Sequence, residues 1–172
     1  MLRGLRRSLA LPVTAAVLLG GACGSTDASG ERGKDVTVLE EPAPPSSMAD
    51  LAVVKENVAD QVATVDDQYI DATALYSVRD GSKAVATLQI SRFNDDARVD
   101  DFEFRNGFVS NLGGQRGVPL RIGKEQVLVT QGNLQRAAVW FRDDLVFVLT
   151  TREDFTKPRT LLRQAVNVGV AA

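Results

Sequence analysis

The stretch Thr73-Ala74-Leu75-Tyr76-Ser77-Val78-Arg79-Asp80-Gly81-Ser82-Lys83-Ala84-Val85-Ala86-Thr87-Leu88-Gln89-Ile90-Ser91 decides the fold. Apolar and polar residues alternate on both sides of Asp80-Gly81, and a β-strand has a side-chain period of two. Asp-Gly between two alternating runs is the strongest short-range hairpin signal. Two antiparallel strands, 73–78 and 84–91, are therefore expected.

Further strands follow downstream. Short ones are expected at Pro119–Ile122 and Gln126–Thr130, joined by Gly123-Lys124. After a turn at Gly132-Asn133, Leu134–Arg142 and Leu145–Thr151 read as the two longest strands, joined at Asp143-Asp144. Val146-Phe147-Val148-Leu149 is apolar without alternation, the pattern of a central strand covered on both faces.

Helical spacing marks three segments. Leu51, Val54, Val58, Val62 and Val65 recur at intervals of three and four, which predicts a helix to about residue 59. Asn94-Asp95-Asp96 offers a cap for a second helix. Its inner face would carry Val99, Phe102, Val109 and Leu112, and Gly113-Gly114 would stop it. Gly107 within it costs about 1 kcal/mol against alanine. A third helix opens at Thr156-Lys157-Pro158, with proline in its tolerated first turn. Its buried stripe is Leu161, Leu162, Ala165 and Val166, and it ends near Gly169. The expected domain, 48–172, is α+β: a single antiparallel sheet of about six strands packed against two or three helices, after a disordered tether.

Residues 24–47 hold mostly Gly, Ser, Asp, Glu, Pro and Thr, ending in Glu40-Glu41-Pro42-Ala43-Pro44-Pro45-Ser46-Ser47. Such a stretch buries too little apolar surface to offset its ordering entropy. A flexible chain of this length spans about 25–30 Å, and 23–47 reads as a linker.

Upstream, Arg3, Arg6 and Arg7 flank an apolar run from Leu9 to Ala22 that ends at Cys23. Positive flank, apolar run and small residues are the parts of a secretory signal peptide, here 1–22. The run is shorter than the ~20 apolar residues of a membrane-spanning helix. Leu18-Leu19-Gly20-Gly21-Ala22-Cys23 resembles the lipobox of bacterial lipoproteins. The resemblance implies cleavage after Ala22 and a diacylglycerol thioether on Cys23. Gly20 stands where that motif usually has an aliphatic residue, with Leu19 one place further back. A small-x-small cleavage that releases a soluble chain and an uncleaved anchor are the alternatives. Arg6-Arg7-Ser8-Leu9 also permits a twin-arginine export route. The expected location is the extracytoplasmic face of the cell membrane, with the lipid anchor as the membrane partner.

Ala86–Phe93, Val139-Trp140-Phe141-Arg142 and Arg159-Thr160-Leu161-Leu162-Arg163 together resemble uncharacterised exported proteins of high-GC Gram-positive bacteria. That resemblance implies no particular activity.

Composition narrows the function classes. The chain has no histidine and one cysteine among 172 residues. That excludes a Ser-His-Asp or Cys-His triad, His-ligated zinc or haem, and an intramolecular disulfide. Removing 1–22 leaves 17 basic against 22 acidic residues. Nucleic-acid binding, which needs clustered positive charge, is not expected. Aromatics are 6%, so the core must draw mainly on Val, Leu, Ile and Ala. No Ser-x-x-Lys or Gly-x-Ser-x-Gly is present.

Remaining constellations have an ordinary reading beside a chemical one. Aspartate pairs at 66–67, 95–96, 100–101 and 143–144 suit turns and helix starts as well as Ca²⁺ or acid–base work. Trp140, Phe141, Phe147 and Tyr76 suit an aromatic floor for a sugar or lipid as well as core packing; Trp140 and Phe141 are adjacent in a strand and so point to opposite faces, which favours the core. Arg92, Arg142, Arg152, Arg159 and Arg163 either converge on an anion or sit as solvated surface charges. Gly113-Gly114-Gln115-Arg116-Gly117 follows a helix, so it lacks the helix N-terminus of a phosphate cradle.

No catalytic, metal or cofactor-binding residue is singled out; Cys23 is the expected lipid-attachment site. The function expected is a lipid-anchored extracytoplasmic binding or interaction module for an envelope or protein partner. A carboxylate-dependent hydrolase, or a small-molecule or lipid carrier at the cell surface, stands behind it.

Overall fold

A computed structural model describes residues 37–57, 67–113, 117–131 and 135–170. The signal segment, Cys23 and the linker through residue 36 lie outside them, as do the turn at 132–134 and most of the Gly113–Gly117 loop.

The central hairpin forms as its alternation dictates, and it is longer than expected. Strand β4, Ile70–Asp80, pairs antiparallel with β5, Lys83–Phe93. Gly81-Ser82 makes the two-residue turn. Gly81 has φ +59°, which glycine takes without steric cost. These two strands, not the pair downstream, are the longest described.

Four further strands return as a meander: β6 Val118–Ile122, β7 Glu125–Gln131, β8 Gln135–Arg142 and β9 Leu145–Arg152. The last of them pairs with β5, which leaves β6 at the far edge. β9 is therefore central. Val146, Phe147, Val148 and Leu149 are all buried because both faces are covered, as the unbroken apolar run predicts.

The opposite edge departs from expectation. Leu51–Lys55 is strand β3, paired antiparallel with β4, and no helix forms there. Leu51 and Val53 turn toward the core while Ala52 and Val54 turn out, a period of two. Valine's branched Cβ favours that extended conformation. The helical spacing leaned on Val54, which is exposed, and on 58–65, outside the described residues.

Part of the proline-rich segment read as linker also packs on the sheet. Thr37–Val38 forms β1 alongside β4 in parallel, and Ser47–Met48 forms β2 against β3. Leu39 and Met48 are buried, and these two apolar side chains anchor the segment. The sheet thus holds nine described strands in the order β2-β3-β4-β5-β9-β8-β7-β6, with β1 on the free edge of β4. The α+β class stands; the strand number exceeds the six expected.

One helix covers each face. Helix α1, Phe102–Gly113, lies over Phe93, Leu128, Val139 and Val146. Its cap is Asp101, whose Oδ1 accepts the Glu103 N–H at 2.8 Å; Asn94 instead closes a turn onto the Asp96 N–H. Its inner face is set by Phe104, Phe108 and Val109, and Phe102 faces solvent. Helix α2, Pro158–Ala165, buries Leu161, Leu162 and Ala165 on the other face, with proline in its first turn as expected. Beneath it Trp140 stacks on Phe147, centroids 5.1 Å apart and rings 7° from parallel. Phe141 points the other way, into a cluster with Phe93 and Phe108.

Candidate functional site

Helix α2 buries one stripe and leaves the other to carry charge. Arg159 and Arg163 stand one turn apart on the outer side, flanking the buried Leu162. Facing them across a gap is the edge strand β6. Its alternate residues Val118 and Leu120 share the α2 side of the sheet, and both are exposed, at 68% and 46%. Two apolar side chains exposed side by side on an edge strand offer a surface on which something else can pack.

The gap is a trough with two halves. The first, about 460 Å³, is floored by Val118, Leu120, Val129, Ala138, Leu149 and Leu162, with Arg136 and Arg159 at its rim. The second, about 830 Å³, continues from Leu120 and Leu162 to Val166 and Val170. Its rim carries Arg121, Lys124, Arg159 and Arg163. Both halves are open to solvent along one side.

Ion pairing separates these cations from the rest. Lys55, Arg79, Lys83, Arg92, Arg105, Arg142, Arg152 and Lys157 each have a carboxylate oxygen within 4.0 Å. Among the described residues, Arg121, Lys124, Arg136, Arg159 and Arg163 have none, and Arg98 is the other lysine or arginine in that state. The cations without a counter-charge gather on one trough. Like charges at i and i+4 on a helix repel by about 0.2–0.5 kcal/mol, so an anion between Arg159 and Arg163 is electrostatically favoured.

Of the five arginines singled out by sequence, only Arg159 and Arg163 come together. Arg92 pairs with Asp144 at 3.4 Å, and Arg152 binds Asp154 at 2.9 Å. Arg142 is structural. It donates to Glu125 Oε1 at 3.0 Å and to the carbonyls of Val166 at 2.8 Å and Val168 at 2.6 Å, closing the end of α2. Arg121, Lys124 and Arg136 escaped the sequence reading because nothing in their spacing shows that β6 sits at an edge beside α2. The one available signal was Val118 alternating with Leu120 in a short strand that begins beside Pro119, a residue confined to sheet edges and strand starts.

Three of the four aspartate pairs take ordinary roles. Asp143-Asp144 turns a hairpin, Asp95-Asp96 lies in the turn after Asn94, and Asp101 caps α1. Asp66 lies outside the described residues, as does the side chain of Asp67. Among the described residues no three carboxylates are placed to hold one metal ion.

A smaller hollow of about 390 Å³ gathers Asp50, Asp80 and Asp154 with Lys83 and Lys157. Lys157 lies 3.7 Å from Asp50 and Lys83 3.4 Å from Asp154. Arg152 hydrogen-bonded to Asp154 lowers that carboxyl to about 2. A general acid needs the opposite shift.

Beside β4, Glu56 accepts from the Ser77 hydroxyl and from Arg79 Nη2 at 2.7 Å, while Arg79 Nε donates to Ser77 at 2.8 Å. These bonds hold the Glu56 carboxyl below its ordinary value. Ser77 thereby donates to a carboxylate and accepts from a guanidinium, which fastens the end of β3 to β4.

Comparison with family models, with curated proteins and with solved structures gives no match.

Proposed function

We propose that the chain is a non-catalytic binding module held at the outer face of a bacterial membrane through Cys23, and that the trough between α2 and the β6–β7 hairpin seats an anionic ligand. One observation carries the seat: Lys124, Arg136, Arg159 and Arg163, all without a counter-charge, border an apolar floor. Sites for small ligands combine an apolar lining with a few convergent polar groups. The three-part leader and the sole cysteine at its end support the anchor.

The other two readings find less support. A carboxylate-dependent hydrolase wants one acid with a raised pKa, and Asp154 is displaced downward by Arg152. A carrier encloses its cargo, whereas the trough is open on one side.

The seat is tested by following the arginine Nε–H NMR signals of the full chain in neutral phosphatidylcholine nanodiscs while inorganic phosphate is added. Arg136, Arg159 and Arg163 should shift together, with Arg142 and Arg152 unmoved. Uniform small shifts across all arginines would discard the seat. The anchor is tested separately by alkyne fatty acid incorporation, which Cys23→Ala should abolish along with membrane fractionation.

A further inference from the structure

We infer that the trough's ligand is an anionic amphiphile, a lipid of the membrane to which the protein is anchored, with its acyl chain in the Val118–Leu149 half and its charged head among Arg159, Arg163 and Lys124. The inference rests on the proposed seat and on the proposed Cys23 anchor, and adds the chemistry of the occupant.

The two halves differ in what they offer. In the first, six apolar side chains form the floor, and two arginines stand at its margin. Its volume is about 460 Å³. An inorganic anion would fill little of that and would leave Val118 and Leu120 wet. The second half is lined by Arg121, Lys124, Arg159 and Arg163, and by Glu125, whose charge is met by Arg142. An uncharged chain would leave those cations without a partner. Arg159 and Leu162 belong to both halves, so head and tail sites are continuous. A molecule with an anionic head joined to an apolar chain satisfies both at once. A membrane anchor keeps such molecules within reach and makes the lipid surface their source.

The test uses the full chain in phosphatidylcholine nanodiscs, with uptake by empty discs subtracted. Hexyl phosphate, decyl phosphate, decanol and inorganic phosphate are the probes. Decyl phosphate should bind most tightly, with affinity rising about fourfold for each added methylene, the fold-change equivalent of ~0.8 kcal/mol. Leu120→Asn, which removes apolar floor without adding charge, should flatten this chain-length dependence. Arg159→Glu with Arg163→Glu should weaken alkyl phosphates more than tenfold. Both positions are solvent-facing, so the variants are expected to fold.

Discs containing phosphatidylglycerol should compete with decyl phosphate where pure phosphatidylcholine discs do not. Inorganic phosphate binding as tightly as decyl phosphate would overturn the amphiphile and leave the anion seat standing. Decanol binding as tightly would overturn the anionic head. Absence of competition by phosphatidylglycerol would overturn the membrane as the source. No uptake of any probe would overturn the seat and the inference together.

Discussion

A β-carbon on Gly169 would lie 2.8 Å from the Cβ and 3.0 Å from the Cγ of Pro42. The residue that ends the α2 region therefore holds the proline-rich segment against the domain by leaving room for it. Gly169 also has φ +74°, in the left-handed region that other residues enter at a cost. Gly169→Ala meets both penalties, steric and conformational. Urea denaturation should show a loss of about 1–3 kcal/mol, and limited proteolysis should cut faster within 39–48. An unchanged midpoint would mean that Pro42 is not seated on Gly169.

Arg142 closes α2 with an ion pair and two carbonyl contacts, all around a guanidinium that is mostly buried. Lysine cannot reproduce that fork. Arg142→Lys should cost about 1–3 kcal/mol, the range for losing hydrogen bonds to a charged group. Glu125→Gln should cost less, because the carbonyl contacts remain. A loss in Glu125→Gln as large as in Arg142→Lys, measured by thermal or urea unfolding, would overturn the greater share given to the carbonyl contacts.

Asp154 gives a pH dependence whose sign is fixed. Its folded pKa, about 2, lies below the ordinary 3.8 because Arg152 hydrogen-bonds its ionised form. A depressed carboxyl contributes stability above its unfolded pKa and loses it as pH falls, here between 3.8 and about 2. The pair is more than half solvent-exposed, so the contribution is small. The measurement is the carboxyl-carbon NMR titration of Asp154. Its midpoint should move up toward 3.8 in Arg152→Gln; no movement would sink the assignment of the shift to Arg152.

Local alternation made most of the sheet legible. The 73–91 hairpin, the four later strands and α2 all follow from side-chain period and turn residues, because each pattern is contained within its own element. In 51–55 Leu51 and Val54 fit helical spacing while Leu51 and Val53 fit a period of two, and pairing with β4 selects the extended form. The trough was nearly invisible. Arg159 and Arg163 were picked out by their type, but their neighbours Arg121 and Arg136 come from strands brought there only by the crossover that puts β6 at the far edge. Which cations lack a counter-charge is likewise a property of the assembled sheet: Arg142 and Arg159 look alike in sequence and differ entirely in surroundings.

The β8–β9 turn places Asp143 at φ 51°, where the equivalent first turn residues of two other hairpins are Gly81 and Gly123. Non-glycine residues pay about 1–2 kcal/mol in that region, aspartate less than most. Asp143→Gly should therefore raise stability by up to about 1 kcal/mol, offset in part by glycine's unfolded-state entropy. A fall in the urea midpoint would show that Asp143 is held by more than the turn's geometry.

Gly107 is the converse case, a glycine whose freedom the backbone does not use. It lies in the middle of α1, and an added Cβ would meet nothing within 4 Å. It borders a shallow hollow of about 180 Å³ walled by Tyr69, Phe93, Phe104 and Phe108. Glycine in a helix interior costs about 1 kcal/mol against alanine, mainly through backbone entropy. With no steric objection, Gly107→Ala should stabilise the fold by close to that amount, adding a methyl group at the rim of the aromatic cluster. The edge-to-face contact of Phe93 with Phe108, at 5.4 Å, should persist in the variant. Paired urea titrations decide the point: a midpoint at or below the parent's would show that α1 packs more tightly at Gly107 than its open Cβ position implies.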